Sequence, residues 1–216
     1  MIIGIVGKAG SGKSTMADYL VRSKKYVAVS LSDPLKRFTK SVYGFTDGQL
    51  WGSSEARNIP DERYVRKDGT SLTPREALQR LGTEFGRSCY EDTWVDICLD
   101  TCQKVLTGEA YDPTKGLNPS FLDCIFKNSP GGVVVPDLRY QNEAAKLRDR
   151  GAVIIRLDPT WESGPSPGVE GHSSEKLQIG DDLIDFVINV PKGLPAFYLE
   201  VDSAIRRASN YKRGVL

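Results

Sequence analysis

The stretch that most constrains the fold of this chain is GKAGSGKST, residues 7–15, which places three glycines within a few positions of one another. Glycine loses more backbone entropy on folding than any other residue, so such a cluster needs a local conformational reason. Residues 2–6 (IIGIV) predict a buried strand, and residues 16–20 (MADYL) predict the first turns of a helix. The glycines therefore lie at a strand-to-helix turn, where backbone N–H groups and the positive end of the helix dipole converge.

Residues 7–14 match the P-loop pattern G-x-x-x-x-G-K-[ST] in full. In this pattern the glycines let the backbone approach a phosphate, the lysine reaches the outer phosphates and the hydroxyl binds Mg²⁺. We therefore expect Lys13 to be catalytic and Ser14 to be the metal-binding position. The expected ATP-binding positions are Gly7, Gly10, Ser11, Gly12, Lys13, Ser14 and Thr15. A glycine-rich turn with a stray lysine is the alternative, and the flanking strand and helix argue against it.

Composition limits the classes to which the chain can belong. Its 216 residues suit one domain, and 39% hydrophobic with 26% charged residues is typical of a soluble globular protein. A formal net charge of +1 gives no general reason to expect a nucleic-acid or membrane partner. No apolar run approaches the roughly 20 residues of a membrane span, and the P-loop interrupts the apolar N-terminus before a secretory signal is complete. We expect a cytoplasmic protein.

The cysteines and the histidine give no indication of a resident metal centre or a disulfide framework. Cys89, Cys98, Cys102 and Cys124 form no C-x-x-C pair, and His172 is the single histidine. Cys98 and Cys102 lie one helical turn apart, which predicts a buried helix face.

Five short β-like runs predict one sheet: residues 2–6, 27–31, 133–135, 153–157 and 184–188. Helical stretches separate them, among them residues 140–150 and 194–208. This alternation favours an α/β fold with a mostly parallel five-stranded sheet and helices on both faces. We find no convincing strand between residues 34 and 130, and we interpret this interval as a helical insertion. Because ligands bind beyond the carboxyl ends of parallel strands, we expect SLSDPLK (30–36), PDLRYQNE (136–143) and NVPKG (189–193) to lie near the P-loop.

Residues 71–87, SLTPREALQRLGTEFGR, predict a helix that begins with Thr73 as N-cap, Pro74 at the first position and Glu76 completing a capping box. One polar stripe follows at helical spacing: Arg75, Gln79, Thr83 and Arg87, with Gly82 beside it. The opposite stripe is expected to face the core: Leu78, Leu81 and Phe85. A polar stripe is usually only a solvated face. Gly82 argues against that here, because a glycine inside a helix costs about 1 kcal/mol and suggests close packing.

The segment PDLRYQNE follows a run of three valines and brings charged groups to the end of a predicted strand. We expect Asp137 to lie near Mg²⁺ and Arg139 to hold a phosphate through a two-pronged contact. The alternative is a helix N-terminus whose acidic residues favour the helix dipole, and it stays open at this point.

Taken together, these motifs resemble those of the phage-encoded deoxynucleoside monophosphate kinases. The matching pieces cover most of the chain in order: GKAGSGKST, SDPLK, WGSSEARN, LTPREALQRLGTEFGR, DTWVDICL, VVVPDLRYQNEAAKLRDRGAVIIRL, GHSSE and LIDFVIN. The resemblance implies a P-loop kinase fold that phosphorylates a deoxynucleoside 5′-monophosphate from ATP and Mg²⁺. It also implies the acceptor-binding positions Arg57, Arg75, Gly82, Trp94, Asp137, Arg139 and Glu143, with Arg139 also catalytic. A homodimer would fit the family, and a phage-encoded member would be expected in the host cytoplasm. Residues 107–130 have no assigned role.

Two other functions remain open on the residues alone. One is another small-molecule P-loop kinase, similar to dephospho-coenzyme A kinase, and the other is a non-catalytic P-loop nucleotide switch. Residues 159–174 are rich in Pro, Gly and Ser and predict a lid over the ATP phosphates. This segment contains no arginine, so positive charge for the transition state should come from Lys13, Mg²⁺ and the arginines at 57, 75 and 139.

Overall fold

Five parallel strands form the centre of the molecule in this computed structural model, which describes residues 1–118, 130–161 and 178–212. The strands are β1 (Ile2–Val6), β2 (Tyr26–Ala28), β5 (Gly132–Val135), β6 (Val153–Pro159) and β7 (Phe186–Val190), in the order β2-β5-β1-β6-β7. Every neighbouring pair in this sheet is parallel. The predicted sheet and all five of its strands are therefore confirmed, with boundaries that shift by one to three residues.

The helices that surround the sheet follow its strands along the chain, and five of those described lie in the insertion between β2 and β5. They are α1 (Lys13–Lys24), α2 (Asp33–Tyr43), α3 (Asp47–Trp51), α4 (Ser54–Asn58), α5 (Pro74–Arg80), α6 (Thr93–Leu106), α7 (Gln141–Asp149) and α8 (Leu194–Lys212). A π-helical segment, Leu81–Arg87, continues α5, and a short 3₁₀ turn, Asp181–Leu183, precedes β7. None of the helices in the described ranges is both long enough and apolar enough to cross a membrane.

The two faces of the sheet are covered by different helices, because side chains alternate along each strand. Ile2 and Val6 of β1 belong to a cluster with α6 and α7, whereas Ile3 and Ile5 belong to a cluster with α1 and α8. All four side chains are buried. Because helices cover both faces of the sheet, the strands consist of continuous apolar runs. The carboxyl ends of the strands are left as the edge that loops must cover.

Several local predictions are confirmed by the structure. Cys98 and Cys102 lie buried on α6, and α7 ends ahead of Gly151, which adopts a left-handed φ of 76°. The Thr73 hydroxyl caps α5 by accepting a hydrogen bond from the Glu76 amide at 3.1 Å. The capping box expected with Glu76 is not formed among the described residues, because the Glu76 carboxylate pairs instead with Arg66 and Arg80, at 2.7 and 3.1 Å.

Two predictions for the insertion are wrong. A two-stranded antiparallel hairpin, β3 (Ala110–Asp112) and β4 (Gly116–Asn118), lies where no strand was expected, because each strand is too short and polar to show a period. The stripe of Leu78, Leu81 and Phe85 faces the core only at its start, since Leu78 packs against a small core cluster of the insertion, whereas Phe85 is 60% exposed. The physical reason is the change to a π-helix at Leu81, whose looser winding rotates the later side chains away from α-helical phase.

Candidate active site

A cavity of about 900 Å³ opens at the carboxyl edge of the sheet, as the strand-end rule predicts. Its walls come from the α1 N-terminus, the segments that follow β2 and β5, and the insertion. The lining contains every expected acceptor position and two expected P-loop positions: Arg57, Arg75, Gly82, Trp94, Asp137, Arg139, Glu143, Lys13 and Ser14. His172, Cys124 and residues 162–174 of the expected lid lie outside the described residues.

The P-loop turn depends on backbone conformations that glycine adopts without strain. Gly10 and Gly12 have φ values of 75° and 93°, in the left-handed region. The Lys13 ammonium lies across the turn and donates hydrogen bonds of 2.7 Å to the carbonyls of Gly7 and Lys8. Its nitrogen is therefore held against the loop that it is expected to complete around a phosphate.

Two further features of the turn suit an anionic ligand. Among the residues that the structure describes, no side chain caps the N-terminus of α1, so its first N–H groups are available to an anion. These groups belong to the turn that begins with Lys13, Ser14 and Thr15. The Ser11 hydroxyl is buried and, in the part of the chain that the structure describes, has no hydrogen-bond partner. Mg²⁺ in nucleotide sites is commonly bound by one or two protein oxygens together with phosphates and waters, and the Ser14 hydroxyl fits that requirement.

Arginines of the insertion are oriented by neutral oxygen acceptors. Arg57 donates to the carbonyl of Gly52 at 2.8 Å, and Arg75 donates to Asn58 Oδ1 and Ser54 Oγ, both at 2.7 Å. Burial lowers the pKa of Arg57, because an ionised group is poorly solvated there. Acceptors of this kind fix the guanidinium planes without cancelling their charge.

Asp137 holds the segment that follows β2. Its carboxylate accepts hydrogen bonds from the amides of Leu31 and Ser32, at 3.0 and 3.2 Å, and from the Ser30 hydroxyl. The ends of β2 and β5 are thereby tied together beneath the cavity.

Glu143 joins the sheet to the insertion. It is 4% exposed and accepts hydrogen bonds from the amides of Arg139 and Tyr140, at 2.8 and 3.0 Å, while its other oxygen lies 3.6 Å from Arg87. Burial raises the pKa of Glu143 to about 7, against the opposing effect of those amides and of Arg87. The Arg87 guanidinium also stacks on the Tyr140 ring at 3.8 Å and donates to Asn142. Sequence reasoning placed Arg87 on the polar stripe but assigned it no binding role.

Trp94 packs against the π-helical segment at two glycines. Its indole N–H donates to the carbonyl of Gly82 at 2.8 Å, and its ring fills the space beside Gly86 that a side chain would otherwise take. Gly82 in turn lies against Leu35, 3.0 Å from where a Cβ would be. The close packing expected at Gly82 is confirmed.

A buried charge cluster in the cavity wall was missed from sequence. Asp33 accepts hydrogen bonds from the Trp51 indole at 2.9 Å, the Tyr111 hydroxyl at 2.8 Å and the Ser30 amide at 3.0 Å, and Lys36 lies 3.7 Å away. Burial raises the pKa of Asp33 and lowers that of Lys36. The signal was the SDPLK stretch at the predicted ligand edge, which places Lys36 on the first turn of α2.

Comparison with known proteins gives this site a family. No protein-family model matches the chain. A protein of Acanthamoeba polyphaga mimivirus, named "putative deoxynucleotide monophosphate kinase", is 30% identical over 212 residues, which are 97% of this chain and 98% of that protein. The chain belongs to the deoxynucleotide monophosphate kinase family. Membership of this kinase family places the chain among phosphotransferases, in agreement with a P-loop that opens onto the cavity. The relative is a mimivirus protein, so it supports membership of the family, and the phage-encoded branch stays a prediction.

Proposed function

We propose that this protein transfers the γ-phosphoryl group of ATP to the 5′-phosphate of a deoxynucleoside monophosphate, which yields ADP and a deoxynucleoside diphosphate. The shared cavity carries the proposal, since Lys13 and Ser14 of the P-loop line the same space as Arg57, Arg75 and Arg139. A donor site and an acceptor site that meet in one cavity allow direct transfer between two bound phosphates.

The ATP phosphates would bind at the N-terminus of α1. There Lys13 exchanges its bonds to the loop carbonyls for phosphate oxygens, and the uncapped amides of the helix donate to the same phosphates. Ser14 would hold Mg²⁺, which neutralises charge on the outer phosphates when it is bound.

The acceptor would bind against the insertion, which we propose as the acceptor half of a single 1–216 kinase domain. Arg75 and Arg139 would bind its phosphate, and Trp94 and Gly82 would line the part of the cavity that holds its nucleoside. The cavity carries a surplus of positive charge, because six lysines and arginines of the described residues line it against four acidic residues. Two anionic nucleotides need such a surplus.

No general base is needed for this reaction. The attacking oxygen belongs to a phosphate whose second pKa is about 6, so it is already largely ionised at neutral pH. Phosphoryl transfer passes through a loose transition state and depends on alignment and on positive charge around the equatorial oxygens. Lys13 and Arg139 can supply that charge from the donor and acceptor sides.

A substrate panel tests the proposal. The purified protein is incubated with ATP, Mg²⁺ and each of dAMP, dCMP, dGMP, dTMP, their ribonucleotide counterparts and dephospho-coenzyme A, and the products are separated by ion-exchange chromatography. We expect deoxynucleoside diphosphate and ADP in equal amounts with at least one deoxynucleotide. Phosphorylation of dephospho-coenzyme A instead would favour a kinase similar to dephospho-coenzyme A kinase. ATP binding without any phosphorylated product would favour a non-catalytic nucleotide switch.

A further inference from the structure

The β3–β4 hairpin forms part of the cavity wall although no role was expected for it. Pro113, in its turn, lines the cavity. The turn is held by Asp112, whose carboxylate accepts hydrogen bonds from the amide and hydroxyl of Thr114, at 2.8 and 2.7 Å. From outside, Arg37 of α2 donates to the Pro113 carbonyl at 2.9 Å. The hairpin is therefore fixed to α2 at its tip.

Tyr111 connects this hairpin to the charged wall of the cavity. Its hydroxyl donates to Asp33 Oδ2 at 2.8 Å, while Asp33 Oδ1 accepts from the Trp51 indole at 2.9 Å. Asp33 is only 2% exposed, so water does not supply alternative donors. One buried carboxylate thus joins β3, α2 and α3, and two of its neighbours, Lys36 and Trp51, line the cavity.

The distances show how the carboxylate is shared. A carboxylate has about four acceptor positions. Tyr111, Trp51 and the Ser30 amide take three of them at hydrogen-bond distances, whereas Lys36 stays 3.7 Å away, too far for a hydrogen bond. The negative charge of Asp33 favours the cationic form of Lys36 against the larger effect of burial, and it does so without direct contact. The Lys36 ammonium group can then present its protons to an anion in the cavity.

We propose that Tyr111 is a positioning residue of the acceptor site, acting through Asp33 to hold Lys36 and Trp51 at the cavity wall. The proposal rests on the proposed function, since it assigns the wall to the monophosphate and not to ATP. Without the Tyr111 hydroxyl, Asp33 loses one of its close donors. The Lys36 ammonium is the adjacent group that can replace it, and moving to Asp33 withdraws it from the cavity.

The test compares Tyr111→Phe with Tyr64→Phe. The Tyr64 hydroxyl also makes a short hydrogen bond within the insertion, to the Tyr43 carbonyl at 2.6 Å. Neither tyrosine lines the cavity, but Tyr64 donates to a backbone carbonyl, whereas Tyr111 donates to the carboxylate beside Lys36. In Tyr111→Phe we expect KM for the preferred monophosphate to rise roughly tenfold, equivalent to about 1.4 kcal/mol, with KM for ATP unchanged. Tyr64→Phe should keep both KM values. A Tyr111→Phe enzyme with the wild-type KM for the monophosphate, or with equal rises for both substrates, would overturn the proposal.

Arg37→Met provides a second variant in case Tyr111→Phe does not fold. It cuts the other tether of the hairpin without altering a cavity-lining residue, and we expect a smaller rise in the same KM alone. Calorimetric titration of the monophosphate into all variants needs no turnover. Weaker binding in Tyr111→Phe but no phosphorylation by any variant would uphold the positioning role and reject the reaction. Failure of the wild-type protein to bind any monophosphate would reject both.

Discussion

The donor side and the acceptor side of the cavity are built in different ways. On the donor side Lys13 is held by carbonyls five and six residues away, within a single turn between β1 and α1. On the acceptor side Arg75 is held by Asn58, 17 residues away, and Asp33 by Tyr111, 78 residues away. The donor side depends on backbone groups within one turn, and the acceptor side depends on a network of side chains from distant segments. A short sequence pattern can specify the first completely, whereas the second requires the folded chain.

The largest effect is expected from removing the lysine of the donor side. Lys13→Met should lower kcat/KM by about 10²–10³-fold or more, because one positioned charge at the transferring phosphoryl group is lost. Lys8→Met is the matched control, since Lys8 is exposed in the same turn. Circular dichroism and thermal unfolding should show both variants folded. Ordinary activity in Lys13→Met would reject the kinase mechanism.

Substitution of the acceptor-side arginines should affect monophosphate binding and ATP binding differently. Arg75→Ala and Arg139→Ala should each weaken monophosphate binding by about 1.5–3 kcal/mol, the usual contribution of a charged hydrogen bond, and leave ATP affinity unchanged. Arg80→Ala on the same helix as Arg75 is the control, because Arg80 pairs with Glu76. Titration with each nucleotide measures both affinities. If ATP binding collapsed instead, the assignment of these arginines to the acceptor would be wrong.

Packing of the acceptor wall can be tested without touching a charge. In Gly86→Ala the new Cβ would lie 2.7 Å from Trp94 Cε2 and 2.9 Å from Nε1, so the indole must move away from Gly82. We expect a loss of about 1–3 kcal/mol in the free energy of unfolding, measured with urea, and weaker monophosphate binding.

Gly48→Ala controls for the loss of a glycine, since its Cβ would meet only Thr46 Oγ1, at 3.8 Å. This variant should be as stable as the wild type or slightly more stable. Equal stability of the two variants would show that Trp94 tolerates a methyl group and that the wall is looser than the structure indicates.

The smallest effect is expected at Glu143, which joins the sheet to the insertion. Because its folded pKa is raised to about 7, its stabilising contribution is complete below its unfolded pKa and is lost as pH rises through 7. Between pH 5.5 and 8 the wild type should lose about 1–2 kcal/mol of unfolding free energy that Glu143→Gln does not lose.

Urea unfolding at several pH values measures this difference for Glu143→Gln and for the control Glu91→Gln. Glu91 also pairs with Arg87, but its side chain is 71% exposed. Parallel stability curves for the wild type and Glu143→Gln would mean that Glu143 stays ionised in the folded protein.

The sequence predicted those features of the fold and the site that are specified by residues close together in the chain. The sheet and the P-loop were predictable because apolar runs and a glycine pattern specify them within a few residues. The polar stripe of α5 was also predictable, but the exposure of Phe85 was not, since the switch to a π-helix leaves no periodic signal. Asp33 and Tyr111 escaped prediction for a related reason: each is an ordinary polar residue until distant segments meet.

The pairing of β1 has a consequence for the order in which the protein is made. β1 leaves the ribosome before its two neighbours in the sheet, β5 and β6, so residues 132–159 must be synthesised before it is enclosed. Parallel pairing between such distant segments is slow, and it leaves an apolar strand exposed during synthesis. A nascent chain that stops before residue 132 holds the whole P-loop sequence without the sheet that shapes it. The P-loop is translated before β5 and β6, but it takes its folded shape only after them. Chains truncated before residue 132 are therefore expected to bind chaperones and not nucleotides.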